Sequence, residues 1–217
     1  LYACRCSRKD LLRAASAPHE GDEGPVYPGT CRDLGLPFDD PELPVAWRFR
    51  VDRALHGRRT IAVADRLQGH YEQDVARDVG DFVVKRKDGL IAYQLAVVVD
   101  DLLQGVTEIV RGRDLLSSAP RQVLLFESLG RAPPAFAHVP LWLDAVGNRV
   151  SKRNGTSPHS LRTLFARGET GADVRVRIGR VLGVVDDGER AITAHELAAR
   201  LRDDVLARPD VRDPALD

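Results

Sequence analysis

The chain has 217 residues, and its 32 Lys and Arg residues balance 32 Asp and Glu residues, so the formal net charge is zero. This balance excludes a generally basic protein that wraps nucleic acid. Hydrophobic residues make up 43% and charged residues 29%, a mixture typical of a folded globular chain. No apolar run approaches the roughly 18 residues that a membrane-spanning helix needs, so we expect no membrane partner.

Three cysteines, all within the first 31 residues, suggest a metal site. An odd number does not suit a disulfide framework, and we expect a reducing, cytoplasmic location. Cys4 and Cys6 lie at one end of a polar segment and Cys31 lies at the other, four positions after Tyr27. Zinc takes such thiolates in a tetrahedron and needs a fourth ligand, for which chemistry favours His19 over a phenol. The alternative is three unbonded thiols beside a surface tyrosine.

Residues 41–92 are predicted to be a small, mostly β insertion that follows a Cys-, Gly- and Pro-rich opening segment. In residues 46–51, the side chains of Trp47, Phe49 and Val51 fall on one side, which is typical of a half-buried strand. We therefore assign residues 1–92 to a zinc-binding and connecting insertion.

The next region, residues 93–148, is predicted to form half of an open α/β sheet. The β-branched run Leu95–Val99 is typical of a strand buried on both faces, and Val106–Val110 predicts a second strand. A serine cap, a proline and a terminal glycine predict a helix between Ser117 and Gly130. A third strand is expected over Ala137–Leu143.

Residues 149–217 are predicted to be a polar loop followed by helices. Ser157 and Pro158 indicate the start of a helix that ends at Gly168, and a second helix is expected over about Ala172–Val185. The sequence Thr193–Glu196 matches a capping box that opens the last helix.

Charged side chains follow the two predicted strands. Asp100 and Asp101 come after the first, and Arg111 and Asp114 after the second, so we expect all four at the carboxyl edge of the sheet. An arginine at this edge suits a carboxylate or phosphate, whereas capping or pairing with nearby arginines is an equal alternative for the two adjacent aspartates. Tyr93, from pattern alone, is expected in the core.

Lys152 and His138 could each have either a functional or a purely structural role. Lys152 lies in the loop of residues 149–155, where a lysine can reach a polyphosphate, although most loop lysines are merely solvated. His138 lies among apolar neighbours and is interpreted as a satisfied core histidine. No Gly-rich phosphate loop or dinucleotide-binding turn is present in the sequence, which disfavours those nucleotide-binding classes.

Several stretches together resemble the class I glutamyl-tRNA synthetase family. Long matches are Ala92–Asp101, Gly105–Leu116 and Pro120–Gln122. Val150–Arg153 is similar to the family's KMSKS loop, and the cysteines and tyrosine of residues 2–31 are similar to its zinc site. Within this family, the residues Tyr93–Leu95 and the short helical tail look most like the bacterial branch that modifies tRNA(Asp).

The resemblance implies a fold and an activity. The fold would be part of a Rossmann-like catalytic domain, with a zinc-containing α+β insertion and a C-terminal helical segment. Such enzymes use ATP, with Mg²⁺, to convert glutamate to glutamyl adenylate, and this branch then transfers glutamate to the queuosine base of tRNA(Asp). A cytoplasmic enzyme, expected to be a monomer, is implied.

The resemblance also implies residue roles. Tyr93 and Arg111 would contact the glutamate substrate. Lys152 would bind the ATP phosphates and stabilise the charge that develops as pyrophosphate leaves. The tyrosine would replace His19 as the fourth metal ligand. The implied zinc ligands are Cys4, Cys6, Tyr27 and Cys31.

The match also sets limits. The first half of the family's catalytic sheet precedes the zinc segment and has no counterpart in the chain, so we expect these 217 residues to be inactive alone. One alternative is a fragment of a discriminating glutamyl-tRNA synthetase, which charges the acceptor end of tRNA. A second is a zinc- and tRNA-binding module without catalysis.

Overall fold

The computed structural model describes residues 1–7, 9–11, 26–39, 43–143, 147, 160–208 and 210–212. The chain divides into two units, the first comprising Leu1–Ala64, His70–Ile109 and Ser117–Phe136, and the second Asp65–Gly69, Val110–Leu116 and Ala137–Asp217. The elements in chain order are β1 (Tyr2–Cys4), β2 (Ala46–Phe49), α1 (Val51–Ala54), β3 (Ile61–Asp65), β4 (Gly69–Gln73), α2 (Val75–Asp78), β5 (Phe82–Lys85), α3 (Tyr93–Gln104), β6 (Glu108–Gly112), a 3-10 helix (Arg113–Ser118), α4 (Ala119–Ser128), β7 (Ala135–Val139), β8 (Trp142–Leu143), α5 (Leu161–Ala166), α6 (Gly171–Val181), α7 (Ala194–Arg200), α8 (Asp203–Leu206) and β9 (Val211–Arg212).

Three sheets give the protein a mixed α/β architecture. An antiparallel sheet has the order β1-β2-β5, with Ala3 opposite Trp47 and Trp47 opposite Lys85. A four-stranded sheet has the order β4-β3-β7-β6. The short connection between β3 and β4 makes a hairpin, whereas α4 joins β6 to β7 as parallel neighbours require. The third sheet pairs β8 with β9 in parallel.

The core of the first unit lies between β-strands and the helices α3 and α4. Phe49 and Phe82 stack with their ring centroids 5.1 Å apart, and Val98 and Leu124 are fully buried. Strand β3 alternates buried and exposed residues, as a strand with one face on a core must. The predicted β character of residues 41–92 is therefore confirmed, except that Val51, expected on the same strand as Trp47 and Phe49, begins helix α1.

The predicted first strand of the half-sheet is wrong, because residues 95–99 lie in helix α3. Leu95, Val98 and Leu102 recur at spacings of three and four and pack on the core, which is the pattern of a helix face. Gly105 ends the helix in the left-handed conformation, with φ 68°. Packing and this C-terminal cap outweigh the β preference of three consecutive valines.

The remaining predictions for this region are partly confirmed. Strand β6 corresponds to the predicted second strand, and α4 to the predicted helix. The Ser118 hydroxyl does not cap α4 but accepts hydrogen bonds of 3.2 Å from both Gln94 Nε2 and Arg121 Nη2. The expected third strand is divided at Pro140 into β7 and β8, because proline lacks the amide that a strand ladder uses.

The second unit contains the predicted C-terminal helices. The capping box of α7 is confirmed, since Thr193 Oγ1 accepts from the Glu196 amide and the Glu196 carboxylate accepts from the Thr193 amide. Helix α6 ends at Val181, earlier than expected. Helix α5 follows a cap at Ser160, and the predicted start at residues 157–158 lies outside the described part of the chain. Among the described helices, none has the length and apolarity needed to cross a membrane.

Candidate functional site

The three cysteines meet in the first unit, as the sequence predicts. Strand β1 carries Cys4, the chain just beyond it carries Cys6, and a turn carries Cys31. Their sulfur atoms all lie within 4.8 Å of one another, and Cys6 Sγ is 3.5 Å from Cys31 Sγ. Cys4 and Cys31 are buried and Cys6 is half-buried. No disulfide joins them, so all three thiols are available as ligands.

Tyr27 places its phenol oxygen against the same three cysteines. The oxygen lies 3.4 Å from Cys4 Sγ and 3.6 Å from Cys6 Sγ, and it accepts a hydrogen bond of 2.7 Å from the Cys31 amide. The Arg48 guanidinium lies 3.7 Å from the ring centroid and covers one face of the ring. Tyr27 is therefore part of the buried cluster and not a surface aromatic.

A glycine at position 80 allows the segment that carries Tyr27 to pack closely against the backbone at that position. Gly80 forms a parallel bridge with Tyr27 and has φ 66°. A Cβ atom at this position would lie 2.7 Å from Val26 Cγ1, closer than real contacts allow. Only glycine fits both the conformation and the space, so residue 80 helps to set the position of the phenol.

The geometry of this thiol–phenol cluster fits a four-coordinate zinc ion. With zinc–sulfur bonds of about 2.3 Å, the sulfur atoms of a tetrahedral site lie about 3.8 Å apart, and a sulfur lies about 3.5 Å from an oxygen ligand. The observed sulfur–oxygen distances at Cys4 and Cys6 are 3.4 and 3.6 Å. His19, the chemically preferred fourth ligand, lies outside the described residues.

The pKa values in the cluster diverge. Burial raises the pKa of the Cys6 thiol to about 11. Burial also acts to raise the pKa of Cys31, but hydrogen bonds from Tyr27 and the Arg5 amide outweigh it and lower the value to about 7. The pKa of the Tyr27 phenol is raised by burial and by its sulfur neighbours. The Cys31 thiol therefore loses its proton more readily than the Cys6 thiol, and a bound metal would have to displace the protons that remain.

A buried carboxylate joins the segments that carry the cysteine cluster by hydrogen bonds. Asp81 accepts hydrogen bonds from the Tyr2 hydroxyl at 2.6 Å, from Arg32 Nε at 2.7 Å and from the Val51 amide at 2.9 Å. Tyr2 lies two residues before Cys4, and Arg32 follows Cys31 directly. The carboxylate therefore fixes both sides of the cluster, an arrangement that the sequence analysis missed.

Tyr93 is not the core residue that its pattern suggests. It is the first residue of α3 and its side chain is 58% exposed. The adjacent Gln94 is held in place, because its Oε1 accepts from Gln122 Nε2 at 2.8 Å and its Nε2 donates to Ser118. Hydrogen bonds thus fix the start of α3, where Tyr93 is exposed. The contact with glutamate remains a prediction.

Arg111 lies near the end of β6, half-buried, in the second unit. Its Nε donates a hydrogen bond of 2.9 Å to Nε2 of His138, and its Nη2 donates to the Leu115 carbonyl at 3.2 Å. Asp114 is exposed on the 3-10 helix that follows β6. Arg111, expected just after the strand, instead lies within it, because β6 extends to Gly112, and only Asp114 comes after the strand.

His138 and Asp65 form a buried pair behind this arginine. His138 Nδ1 lies 2.5 Å from Asp65 Oδ2, and both side chains have no exposed surface. The prediction of a satisfied core histidine is confirmed, but its contact with Arg111 was missed. Asp65 was also missed, although a signal exists: it occupies the third inward position of the alternating strand β3, where an apolar residue is expected.

Three other charged residues are predicted from the sequence to lie at the site: Asp100, Asp101 and Lys152. Asp100 and Asp101 lie on helix α3 and not after a strand, so their predicted position at the sheet edge is wrong. Lys152 lies outside the described residues, and its predicted contact with ATP phosphates has no structural counterpart here.

Comparisons with known proteins agree with the resemblance seen in the sequence. The family described as tRNA synthetases class I (E and Q), catalytic domain, matches residues 2–202. A relative from Chromobacterium violaceum named glutamyl-Q tRNA(Asp) synthetase is 51% identical over 152 residues, 70% of this chain and 47% of the relative. A protein of the same name from Nitratidesulfovibrio vulgaris is 40% identical over 195 residues, 86% of this chain and 57% of the relative.

Solved structures give the same fold. A glutamate tRNA ligase from Elizabethkingia meningosepticum, in complex with its amino acid, superimposes with a TM-score of 0.73 at 19% identity, covering 97% of this chain and 46% of that one. A glutamate-tRNA synthetase from Elizabethkingia anophelis gives a TM-score of 0.74 at 20% identity, covering 99% and 48%. The chain spans about half the length of the curated relatives it matches.

Proposed function

This chain belongs to the class I tRNA synthetases of the E and Q group, and we propose that it is part of an enzyme that activates glutamate with ATP and transfers it to queuosine in tRNA(Asp). The observation that carries the proposal is the identity of 40% and 51% to two relatives named glutamyl-Q tRNA(Asp) synthetase. The activity is assigned to the complete gene product, because the chain covers only 47% and 57% of those relatives.

In the first step, the glutamate carboxylate attacks the α-phosphorus of ATP, with pyrophosphate as the leaving group and glutamyl adenylate as the product. Arg111 contacts a glutamate carboxylate, because a half-buried guanidinium forms strong charge-assisted hydrogen bonds with such a group. Tyr93 offers a hydroxyl to the same substrate from the start of α3, and its exposure supports this role. Lys152 stabilises the charge that develops on the phosphates, which Mg²⁺ accompanies.

Zinc has a structural role in this proposal. Cys4, Cys6, Cys31 and Tyr27 hold the ion and join both ends of the segment between Cys6 and Tyr27. The distances among the three sulfurs and the phenol oxygen support this ligand set. The ion would therefore hold this segment in place, and no catalytic role is assigned to it.

The test measures two steps on the complete gene product. Glutamate-dependent exchange of pyrophosphate into ATP, without tRNA, reports adenylation. Transfer of labelled glutamate to tRNA(Asp) that carries queuosine, but lacks its 3′-terminal adenosine, reports modification without charging of the acceptor end. We expect both activities and no transfer to the same tRNA without queuosine.

Other outcomes separate the alternatives. Transfer that needs the terminal adenosine would identify an enzyme that charges the acceptor end of tRNA. Absence of both glutamate-dependent exchange and transfer to tRNA in the complete gene product would leave a zinc- and tRNA-binding module. The isolated 217-residue chain is the matched control, and we expect no exchange from it.

A further inference from the structure

In the second unit, hydrogen bonds connect half-buried Arg111 to His138 and His138 to Asp65. Half-buried Arg111 donates from Nε to His138 Nε2 at 2.9 Å, and His138 Nδ1 meets Asp65 Oδ2 at 2.5 Å. The side chains of His138 and Asp65 are both fully buried. A buried carboxylate and a buried imidazole are costly to retain unless their hydrogen bonds are satisfied.

The contacts specify one tautomer of the imidazole. The guanidinium Nε always carries hydrogen and can only donate, so His138 Nε2 has to accept. A neutral imidazole with an accepting Nε2 carries its hydrogen on Nδ1, which then donates to the Asp65 carboxylate. Burial lowers the pKa of His138 and favours this neutral form, although the bond to Asp65 acts in the opposite direction.

The carboxylate itself cannot turn. Asp65 Oδ1 accepts from the amides of Leu67 at 3.0 Å, Gln68 at 2.8 Å and His138 at 3.1 Å. These three donors occupy one oxygen and leave the other directed at the imidazole. Hydrogen bonds from His138 and these amides outweigh burial and keep the pKa of Asp65 below its usual value.

We propose that Asp65 and His138 are positioning residues, which hold the Arg111 guanidinium in the orientation that receives a carboxylate of glutamate. This inference rests on the proposed function, in which Arg111 contacts the substrate. Asp65 keeps the imidazole hydrogen on Nδ1 of His138, so Nε2 of His138 is free of hydrogen and accepts from Arg111. This hydrogen bond sets the plane of the Arg111 guanidinium. An arginine whose plane is set in advance loses less freedom on binding a planar carboxylate.

The decisive variant is Asp65→Asn in the complete gene product. The amide oxygen retains the three backbone donors, so the amide nitrogen faces His138 Nδ1 and makes that atom an acceptor. The ring hydrogen then moves to Nε2, where it faces the donating Nε of Arg111. We expect the KM for glutamate to rise by about 10- to 100-fold, the range seen when a residue that orients a ligand is changed. The KM for ATP should stay unchanged.

A spectroscopic measurement accompanies the kinetics. Two-bond ¹H–¹⁵N correlations of histidine-labelled protein should show His138 with hydrogen on Nδ1 in the unsubstituted enzyme and on Nε2 in Asp65→Asn. The control is Asp203→Asn, which removes the same charge from an exposed ion pair with Arg66. It should leave both the tautomer and the glutamate KM unchanged.

A second pair of variants serves if Asp65→Asn does not fold. His138→Gln keeps an acceptor where Nε2 stood, and His138→Asn keeps a donor where Nδ1 stood. The glutamine variant should retain a glutamate KM near that of the unsubstituted enzyme, whereas the asparagine variant should raise it. Equal effects of the two variants would overturn the inference, because a merely structural histidine does not distinguish them.

The outcomes also separate this inference from the proposed function. An active enzyme whose glutamate KM is unchanged in Asp65→Asn would overturn the positioning role alone. An unsubstituted gene product without glutamate-dependent exchange would overturn the proposed function, and the positioning role with it.

Discussion

The carboxylate of Asp81 is 1% exposed and lies 2.7 Å from Nε of Arg32, whose side chain is 30% exposed. The buried Asp81 carboxylate thus pairs with the partly exposed Arg32 and accepts two further hydrogen bonds, from the Tyr2 hydroxyl and the Val51 amide. Removing one member of such a network leaves the others without compensation.

We therefore expect Asp81→Ala to lower the free energy of unfolding by about 3–5 kcal/mol. Urea denaturation measures the change. The control, Asp204→Ala, removes a carboxylate that pairs with Arg202 at the surface, where solvent screening leaves such a pair with little effect on stability. Similar losses in both variants would contradict the structural role of Asp81.

Tyr27→Phe should weaken zinc binding, because it removes the oxygen ligand but keeps the ring beneath Arg48. We expect an affinity loss of about tenfold or more, measured by competition with a chromogenic chelator. Tyr71→Phe provides the control, since this half-buried tyrosine lies on β4 outside the cluster. Unchanged affinity in Tyr27→Phe would exclude the phenol as a ligand.

Removal of metal by a chelator should loosen residues 1–40 while the main core survives. The apolar cluster around Cys4 and Cys31 is separate from the larger cluster that contains Phe49 and Leu124. Hydrogen exchange measures both regions in one experiment. Cooperative exchange of the whole first unit would show that the metal stabilises more of the fold than its immediate segments.

Acidification should destabilise the protein in two ranges through the Asp65–His138 pair. Burial lowers the pKa of folded His138, so below about pH 6.5 the unfolded chain gains a proton that the folded chain does not, and stability falls. The pKa of folded Asp65 is also lowered, so its contribution is lost only at more acidic pH, below about 4. Urea midpoints at pH 7 and pH 5 test the histidine contribution, which His138→Gln should abolish.

Arg111→Ala should raise the KM for glutamate in the complete gene product and leave the KM for ATP unchanged, because the guanidinium is proposed to bind the amino acid alone. Pyrophosphate exchange at varied glutamate measures the effect. Arg113→Ala is the control, since this neighbouring arginine lies 3.5 Å from Asp210 and has no proposed substrate. An unaltered glutamate KM would remove Arg111 from the pocket.

The cysteine cluster and the last helices could be predicted from sequence because local chemistry determines them. The spacing of Cys4, Cys6 and Cys31 indicates shared ligation, and Thr193 with Glu196 specifies a helix start. The choice of Tyr27 as a fourth neighbour depends on tertiary approach at Gly80. The high pKa of a phenol, taken alone, favoured His19 as the fourth ligand.

Helix α3 shows why other predictions failed. Its three consecutive valines favour a strand locally, whereas the face formed by Leu95, Val98 and Leu102 becomes decisive only when the core is present to receive it. The buried partners of Arg111 were also hidden, because Asp65 and His138 are 73 positions apart in the chain. No local pattern connects residues at that separation.

Cys6 and Tyr27 approach within 3.6 Å although 21 positions separate them. The ends of the intervening segment are therefore fixed by the cluster and not by the number of residues between them. Since doubling the number of residues between two joined positions costs only about 0.6 kcal/mol in closure entropy, a protein with a longer stretch between these two positions could keep the same cluster with little thermodynamic penalty.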